Sequence, residues 1–177
     1  MELGIGVGWL EEEFDALGIP FAHRGKRADE YIEAMRALWA ADDIGYHGEF
    51  VDFENMNCNP KPLQDPLPII IGGHSEFAAR RAGRLGNGYF PATGWAGDIT
   101  PLLATVREEA EKAGRDPAQI QITTGLDPED PLGSAQRMAE LGASRFAIPS
   151  LLFEGDYVEN LKRYAEEVIA PVQEKLG

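Results

Sequence analysis

Four consecutive residues contain the types best suited to hold an anion: Gly72, Gly73, His74 and Ser75. They follow the apolar run Pro68–Ile71, which predicts a buried parallel strand, and precede a predicted helix over Glu76–Leu85. Paired glycines permit a close backbone approach, and Ser75 is a natural N-cap. A phosphate could bind the N–H groups of the last three of these residues, and the Ser75 hydroxyl, at the positive end of the helix. An ordinary capped helix after a tight turn explains the same pattern equally well.

A second glycine-rich segment ends the first strand-like run, Glu2–Gly8, and is followed by Trp9. A dinucleotide-binding fingerprint requires G-x-G-x-x-G, but Trp9 stands where its last glycine should be, so that fingerprint is excluded. Alternating glycines thin one face of a strand, which leaves room for a flat ring or for a neighbouring layer of the protein. Gly6, Gly8 and Trp9 are therefore candidate cofactor contacts, with tight packing of the sheet as the alternative.

The three histidines, His23, His47 and His74, lack the spacing of metal ligands, so the sequence predicts no metal site. His47 precedes a glycine and is interpreted as a turn residue. His74 is the one histidine on the predicted ligand loop, where a hydrogen-bonding or proton-transfer role is open to it. No G-x-S-x-G nucleophile elbow occurs, no carboxylate pair is singled out, and no catalytic residue is predicted.

Short apolar runs alternate with amphipathic stretches along the whole chain, a pattern typical of α/β proteins. Strand starts after the first unit lie about 20 to 30 residues apart and each strand feeds one helix, which favours a βα barrel over a doubly wound sheet. A small hairpin is predicted over Ile44–Phe53, and a proline-rich excursion over Asn57–Pro68. The predicted strands are 2–8, 68–71, 88–92, 120–125 and 145–149, and the predicted helices are 22–41, 76–85, 101–113, 132–141 and 156–175.

The chain has 177 residues, with no linker or repeat, and is interpreted as a single domain over 1–177. Its formal charge of −14 argues against nucleic acid and anionic membranes as partners. Cys58 is the only cysteine, so no intramolecular disulfide forms and a reducing compartment is expected. No apolar run approaches the roughly 20 residues of a membrane span, and the N-terminus has no signal-peptide pattern. We therefore expect a cytoplasmic protein.

Several short motifs follow one another in a specific order from the first strand to Tyr89, and more weakly beyond it. They are Gly4–Trp9, Glu13-Phe14, Gly18–Phe21, Arg24-Gly25, Glu30, Leu38-Trp39, Gly48–Phe50, Pro60–Pro62, Pro68–Gly73, Arg80–Ala82 and Gly88-Tyr89. Each motif is weak alone, but together they resemble the luciferase-like monooxygenase family. The resemblance is closest to its F420-dependent oxidoreductase branch.

The resemblance implies an α/β fold, a partial TIM (β/α)8 barrel of about five parallel βα units with a small hairpin inserted after the first. The chain would correspond to the C-terminal part of the barrel, beginning at its fourth strand. The cofactor would be FMN or the deazaflavin coenzyme F420, bound at the carboxyl ends of the strands. Its phosphate would lie at the Gly72–Ser75 turn, and the Gly6–Trp9 segment would approach its ring. Arg24 and Glu30 would form a structural ion pair.

Members of this family carry about three further βα units before the segment that matches Glu2. A five-stranded sheet has two outer edges with unpaired N–H and C=O groups, which favour pairing with another chain. We therefore expect a homo-oligomer, or a second polypeptide, that covers the open edges of the barrel.

Two functions remain open at this point. The resemblance implies an oxidoreductase that transfers hydride between the cofactor and a small organic substrate or, with FMN, a monooxygenase; of the two cofactors it favours the deazaflavin. The alternative is a non-catalytic binding or assembly module derived from such an enzyme. The sequence identifies neither the substrate nor a catalytic acid or base.

Overall fold

The computed structural model describes residues 1–91, 97–150, 153 and 155–176. Its strands are β1 (Leu3–Ile5), β2 (Ile44–His47), β3 (Asp52–Met56), β4 (Ile69–Gly72), β5 (Gly88–Phe90), β6 (Gln121–Gly125) and β7 (Ala143–Ala147). Five of them form one parallel sheet in the order β1-β4-β5-β6-β7, while β2 and β3 form a separate antiparallel hairpin. Each strand of the sheet pairs with the next one along the chain, as in a segment of a βα barrel.

Helices connect the strands of the sheet and follow the last one. They are α1 (Glu11–Ala16), α2 (Arg24–Ala40), α3 (Glu76–Leu85), α4 (Thr100–Lys112), α5 (Pro131–Glu140), α6 (Tyr157–Tyr164) and α7 (Ala170–Leu176). A π-helical turn, Ala165–Ile169, joins α6 to α7, and a 3₁₀ turn, Pro117–Gln119, precedes β6. No helix in the described ranges is long and apolar enough to cross a membrane.

The partial barrel of five parallel strands, with a hairpin after the first unit, is thereby confirmed. Among the described residues, β1 pairs only with β4 and β7 only with β6, so each has one outer edge without a partner strand. Glu2, which precedes β1, nevertheless forms a bidentate ion pair with Arg145 of β7, with 2.8 Å between Glu2 Oε1 and Arg145 Nη2. This contact between the first and last strands requires a strongly curved sheet.

The core lies between one face of the sheet and helices α2, α3 and α4. Ile69 and Ile71 of β4 and Tyr89 of β5 share that face and are at most 1% exposed. A Cβ on Gly83 would lie 2.5 Å from the carbonyl oxygen of Val106, so this glycine allows α3 and α4 to pack closely. The buried helical side chains of this cluster are Ile32, Ala78, Ala79, Ala82, Leu103, Val106 and Ala110.

Several element boundaries differ from the sequence-based expectation, and three of them have a clear structural reason. The first strand ends at Ile5 rather than Gly8, because the chain leaves the sheet and Gly8 adopts a positive φ of 74°. The long helix begins at Arg24, because His23 has left-handed dihedral angles that interrupt it. The last strand begins at Ala143, where pairing with Ile122 overrides weak local propensity. The predicted third strand, 88–92, ends at Phe90, and residue 92 lies outside the described residues.

Candidate functional site

The Gly72–Ser75 turn joins the end of β4 to the start of α3. Gly73 has φ 133°, a region that favours glycine, and a Cβ there would lie 3.0 Å from the Ala78 side chain. Ser75 is the N-cap of α3, as expected, and its hydroxyl oxygen accepts the Ala78 N–H at 3.2 Å. The hydroxyl proton of Ser75 remains able to donate to a ligand.

Strand β5 holds the turn from both sides of Gly73. The Gly73 N–H donates to the carbonyl of Phe90 at 3.1 Å, and the Tyr89 hydroxyl donates to the carbonyl of Gly73 at 2.8 Å. Tyr89 is fully buried, and desolvation raises the pKa of its phenol to about 12. The predicted use of the Gly73 N–H for a phosphate is therefore wrong, because that group is already bonded to β5.

The N–H groups that start α3 remain available at this turn. Among the described residues, none accepts a hydrogen bond from the N–H of His74, Ser75 or Glu76. Adjacent donors of this kind, at the positive end of a helix dipole, form a site suited to an anion. The Glu76 carboxylate, which would oppose an anion, is paired with Arg80 one turn later in the helix.

Two arginines fix the opposite end of α3. Arg36 of α2 donates to the carbonyl of Leu85 at 2.5 Å, and Arg115 donates to the carbonyls of Gly83 and Gly86 at 2.6 and 2.5 Å. Desolvation lowers the pKa of both guanidinium groups. Cations at the C-terminal carbonyls of a helix complement its dipole, so they stabilise the orientation in which α3 presents its N-terminus to the turn.

The Gly6–Trp9 segment lies beside the turn at the same end of the sheet. Gly4 and Ile5 pair with Ile70 and Ile71, which brings Gly6 next to Gly72. A Cβ on Gly6 would meet no heavy atom of the described chain within 4 Å, so no described residue packs against this glycine. Trp9 is 82% exposed.

Gly8 has a local role in addition to its place near the site. A Cβ there would lie 2.7 Å from the ring of Phe14, and the Gly8 carbonyl accepts a hydrogen bond from Arg24 Nε at 3.1 Å. The Arg24 guanidinium also lies 3.8 Å from the ring centre of Phe21. These contacts fix the path of the chain between β1 and α2.

The expected ion pair between Arg24 and Glu30 is wrong. Arg24 contacts Gly8 and Phe21, whereas Glu30 accepts backbone N–H groups from the hairpin turn. The two residues are six apart in one helix, which places them on different faces. Glu30 is structural, but its partners are the N–H groups of Glu49, Phe50 and Val51, at 3.0, 2.7 and 2.6 Å.

The histidines lie in three separate places. His74 is exposed on the turn and His23 precedes α2. His47 ends β2 directly before the turn of the hairpin, and its ring contacts Asp52 and Glu54, each at 2.7 Å. Within the described part of the chain, no three side chains of metal-binding type form a site.

A cleft rich in positive charge opens beside the turn, and sequence reasoning did not identify it. It has a volume of about 530 Å³ and is bordered by Val7, Ser75 and the first turn of α2. Its cationic side chains come from two helices that are distant in sequence, which is why no single motif indicates it. We call it the basic cleft; its cationic residues are Arg24, Lys26, Arg80, Arg81 and Arg84.

Fold and site together define a segment of a βα barrel with a helix N-terminus at the carboxyl end of its sheet. Residues 1–128 match the family model described as luciferase-like monooxygenase. The chain therefore belongs to the luciferase-like monooxygenase family.

Curated relatives agree with this family and include enzymes that use either cofactor. An uncharacterised protein of Mycobacterium tuberculosis is 35% identical over 96% of this chain and 61% of its own length. The FMNH2-dependent dimethylsulfone monooxygenase of Pseudomonas putida is 35% identical over 60% of this chain and 31% of its own. The F420-dependent glucose-6-phosphate dehydrogenase of Segniliparus rotundus is 32% identical over 72% and 40%.

Solved structures agree with the fold. Long-chain alkane monooxygenase superimposes with a TM-score of 0.66 over 89% of this chain and 60% of its own, at 15% identity. Monooxygenase RslO1 from Streptomyces bottropensis gives a TM-score of 0.58 over 79% and 46%, at 25% identity. The chain spans about three fifths of the length of the first curated relatives it matches.

Proposed function

We propose that this chain binds a flavin or deazaflavin cofactor at the carboxyl end of its sheet and acts as an oxidoreductase. It would transfer hydride between the cofactor and a small organic substrate, or support monooxygenation with reduced FMN. The observation that carries the proposal is the Gly72–Ser75 turn, with its free N–H groups at the start of α3. Two curated relatives that use F420 and FMNH2 support both cofactors.

The residues present fit such a cofactor. The N–H groups of His74, Ser75 and Glu76, with the Ser75 hydroxyl, would hold its phosphate. Gly72 and Gly73 carry no side chain that could obstruct it, and the open face at Gly6 leaves room for the rest of the molecule. When bound, the cofactor would supply the redox chemistry, while the protein binds and orients it. The exposed rings of Trp9 and His74 border the same region.

The remaining proposals concern the assembled protein. The outer edges of β1 and β7 support a homo-oligomer, or a second polypeptide, that completes the barrel. The net charge of −14 supports partners other than nucleic acid and anionic membranes. The single cysteine fits the reducing environment of the cytoplasm.

The test is a titration of the protein with FMN and with coenzyme F420, followed by absorbance and by light scattering for the oligomeric state. We expect saturable binding of at least one cofactor. Gly73→Val should weaken binding at least about tenfold, because the new side chain meets Ala78 and the backbone must leave its glycine-type conformation.

The matched control is Gly114→Val, at a glycine with φ 69° where a Cβ meets no atom of the described chain within 4 Å. It introduces comparable backbone strain away from the site, so it should not change cofactor affinity. Since Gly73→Val could fail to fold, Ser75→Gly offers a milder test that removes the CH2OH side chain at a position where glycine is an accepted N-cap. Absence of binding by every assembled form of the wild-type protein would contradict the proposal and favour a non-catalytic module.

A further inference from the structure

The two outer edges of the parallel sheet complement each other. Among the described residues, β1 pairs only with β4 and β7 only with β6, so each outer strand has one side without a partner strand. Every neighbouring pair in the sheet is parallel and follows the order of the chain. The strand that would continue this pattern beyond β7 is therefore a parallel strand, and β1 of another copy has a free side for it.

An apolar groove lies beside the free edge of β7. It has a volume of about 600 Å³ and separates the strand from the helical segment that follows it. Phe146 and Ile148 line the groove from the side of the sheet, and Val168, Val172 and Leu176 line it from the helices. Leu176 is 40% exposed. Apolar surface of this kind beside an unpaired strand is typical of a surface that a partner covers.

The free edge of β1 has an apolar side chain on the matching face. Leu3 pairs with Ile69, so its side chain lies on the face of the sheet that the helices cover. Phe146 packs against the same core cluster as Ile69. A second β1 placed beside β7 would therefore direct its Leu3 towards the apolar groove.

The two edges also carry opposite charges. Glu2 precedes β1 and Arg145 lies on β7, and the two form a bidentate ion pair within the chain. Their side chains are 35% and 41% exposed. An ion pair that is open to water contributes little to stability, so these two side chains can exchange partners at low cost.

We propose that a second copy of this chain covers the free edges, with β7 of each copy paired in parallel with β1 of the other. Across each junction, Glu2 of one copy pairs with Arg145 of the other, and Leu3 enters the apolar groove. A twofold axis relates the two junctions, which join two five-stranded sheets into one closed barrel without a free edge. The inference rests on the proposed homo-oligomer and specifies how it is built.

The test reverses the charge at one edge at a time. Glu2→Arg gives a chain with a positive residue at both edges, and Arg145→Glu gives a chain with a negative residue at both. Two identical variant chains bring like charges together at both junctions, whereas one chain of each kind forms two opposite pairs. Sedimentation velocity measures dimerisation in about 0.15 M salt, which screens the repulsion between two chains of charge −14.

We expect the wild-type protein to dimerise and each single variant to dimerise at least about tenfold more weakly, because like charges face each other at both junctions. An equimolar mixture of the two variants should form a heterodimer with the affinity of wild type. A chain that carries both substitutions should dimerise as wild type does. Circular dichroism shows whether each variant is folded.

The matched controls are Glu108→Arg and Lys112→Glu, which reverse the charges of an exposed ion pair within α4, away from both edges. Both should dimerise as wild type does. An ion pair confined to one chain cannot be restored by mixing two variants, so recovery in the mixture is specific to exchange between copies. Single variants as dimeric as wild type, or a mixture that restores nothing, would overturn the proposal.

Assembly and cofactor binding are measured separately, so their failures are distinguishable. A monomeric wild-type protein that binds FMN or F420 overturns the edge pairing, keeps the proposed cofactor site and assigns the edges to a different polypeptide. A dimer that shows the expected charge exchange but binds neither cofactor supports the edge pairing and contradicts the proposed function.

Discussion

Two clusters of charged side chains flank α2, and they differ mainly in burial. The buried ion cluster consists of Asp29, Arg81 and Arg84, and the hairpin ion cluster consists of His47, Asp52 and Glu54. In the first cluster Arg81 is 5% exposed, whereas in the second the side chain of His47 is 63% exposed. Each cluster joins two elements, α2 to α3 in one case and the paired strands β2 and β3 in the other.

Ion pairs with similar contact distances have different energetic consequences in the two clusters. Water around the hairpin ion cluster screens its charges and replaces any lost partner at little cost. Arg81 of α3 has no such replacement, because it is 5% exposed and removal of its carboxylate partner on α2 leaves a buried charge without a counter-charge. The buried ion cluster therefore fixes α3, and with it the turn and the basic cleft, while the hairpin adjusts to its surroundings.

Asp29→Ala should cause the largest loss of stability of the changes considered. It leaves Arg81 without its carboxylate partner, which for buried pairs costs about 3 to 5 kcal/mol in the free energy of unfolding. Urea unfolding followed by circular dichroism measures the loss. Asp42→Ala is the matched control, since Asp42 pairs with Lys61 but is 61% exposed, and it should cost less than about 1 kcal/mol. Similar losses for the two variants would contradict the comparison.

Glu30→Ala should cause an intermediate loss of stability. Glu30 links α2 to the hairpin through hydrogen bonds from backbone N–H groups rather than through ion pairs. Its carboxylate accepts three N–H groups of the hairpin turn, and a hydrogen bond to a charged group contributes about 1.5 to 3 kcal/mol. We expect a loss of about 2 kcal/mol, since water can reach part of this turn. Hydrogen exchange of the Phe50 and Val51 amides should become faster, while exchange in α3 should not change.

Glu30→Gln sharpens this prediction, because an amide keeps one acceptor oxygen. It should protect the Val51 N–H better than alanine does and cost less in the free energy of unfolding. An alanine variant with unchanged exchange at both amides would mean that the hairpin turn is held by other contacts.

Local signals predicted the fold well, and long-range pairing limited what could be predicted of the site. The β-branched run of β4 and the Ser75 cap each lie within a few residues, so their pattern indicated the strand, the turn and the start of α3. The contact between Asp29 and Arg81 joins positions 52 apart in sequence, and no local pattern encodes it. The bond from the Gly73 N–H to Phe90 escaped prediction for the same reason.

Arg84→Gln tests whether the exposure of a side chain also determines how much its ion pair contributes to the free energy of unfolding within the buried ion cluster. Arg84 is 46% exposed, and its removal leaves Asp29 paired with Arg81, so no buried charge loses its partner. We expect a loss of no more than about 1 kcal/mol, as for a surface pair. Thermal unfolding of Arg84→Gln and Asp29→Ala, measured in parallel with the wild-type protein, gives the two losses of stability. A loss as large as that of Asp29→Ala would show that the three residues act as one unit.

His47 should give the smallest effect on stability, but one that depends on pH. Hydrogen bonds that the ring donates to Asp52, and then to Glu54, raise the pKa of His47 above its ordinary 6.5. Because the folded hairpin favours the protonated ring, this stabilisation is fully present below pH 6.5 and disappears as the pH rises through the raised value. An NMR titration of the His47 ring should therefore give a midpoint above 6.5, and Asp52→Asn with Glu54→Gln should return it towards 6.5. A midpoint at or below 6.5 in the wild-type protein would contradict this prediction. It would mean that water screens both carboxylates completely, so that the hairpin ion cluster adds no stability.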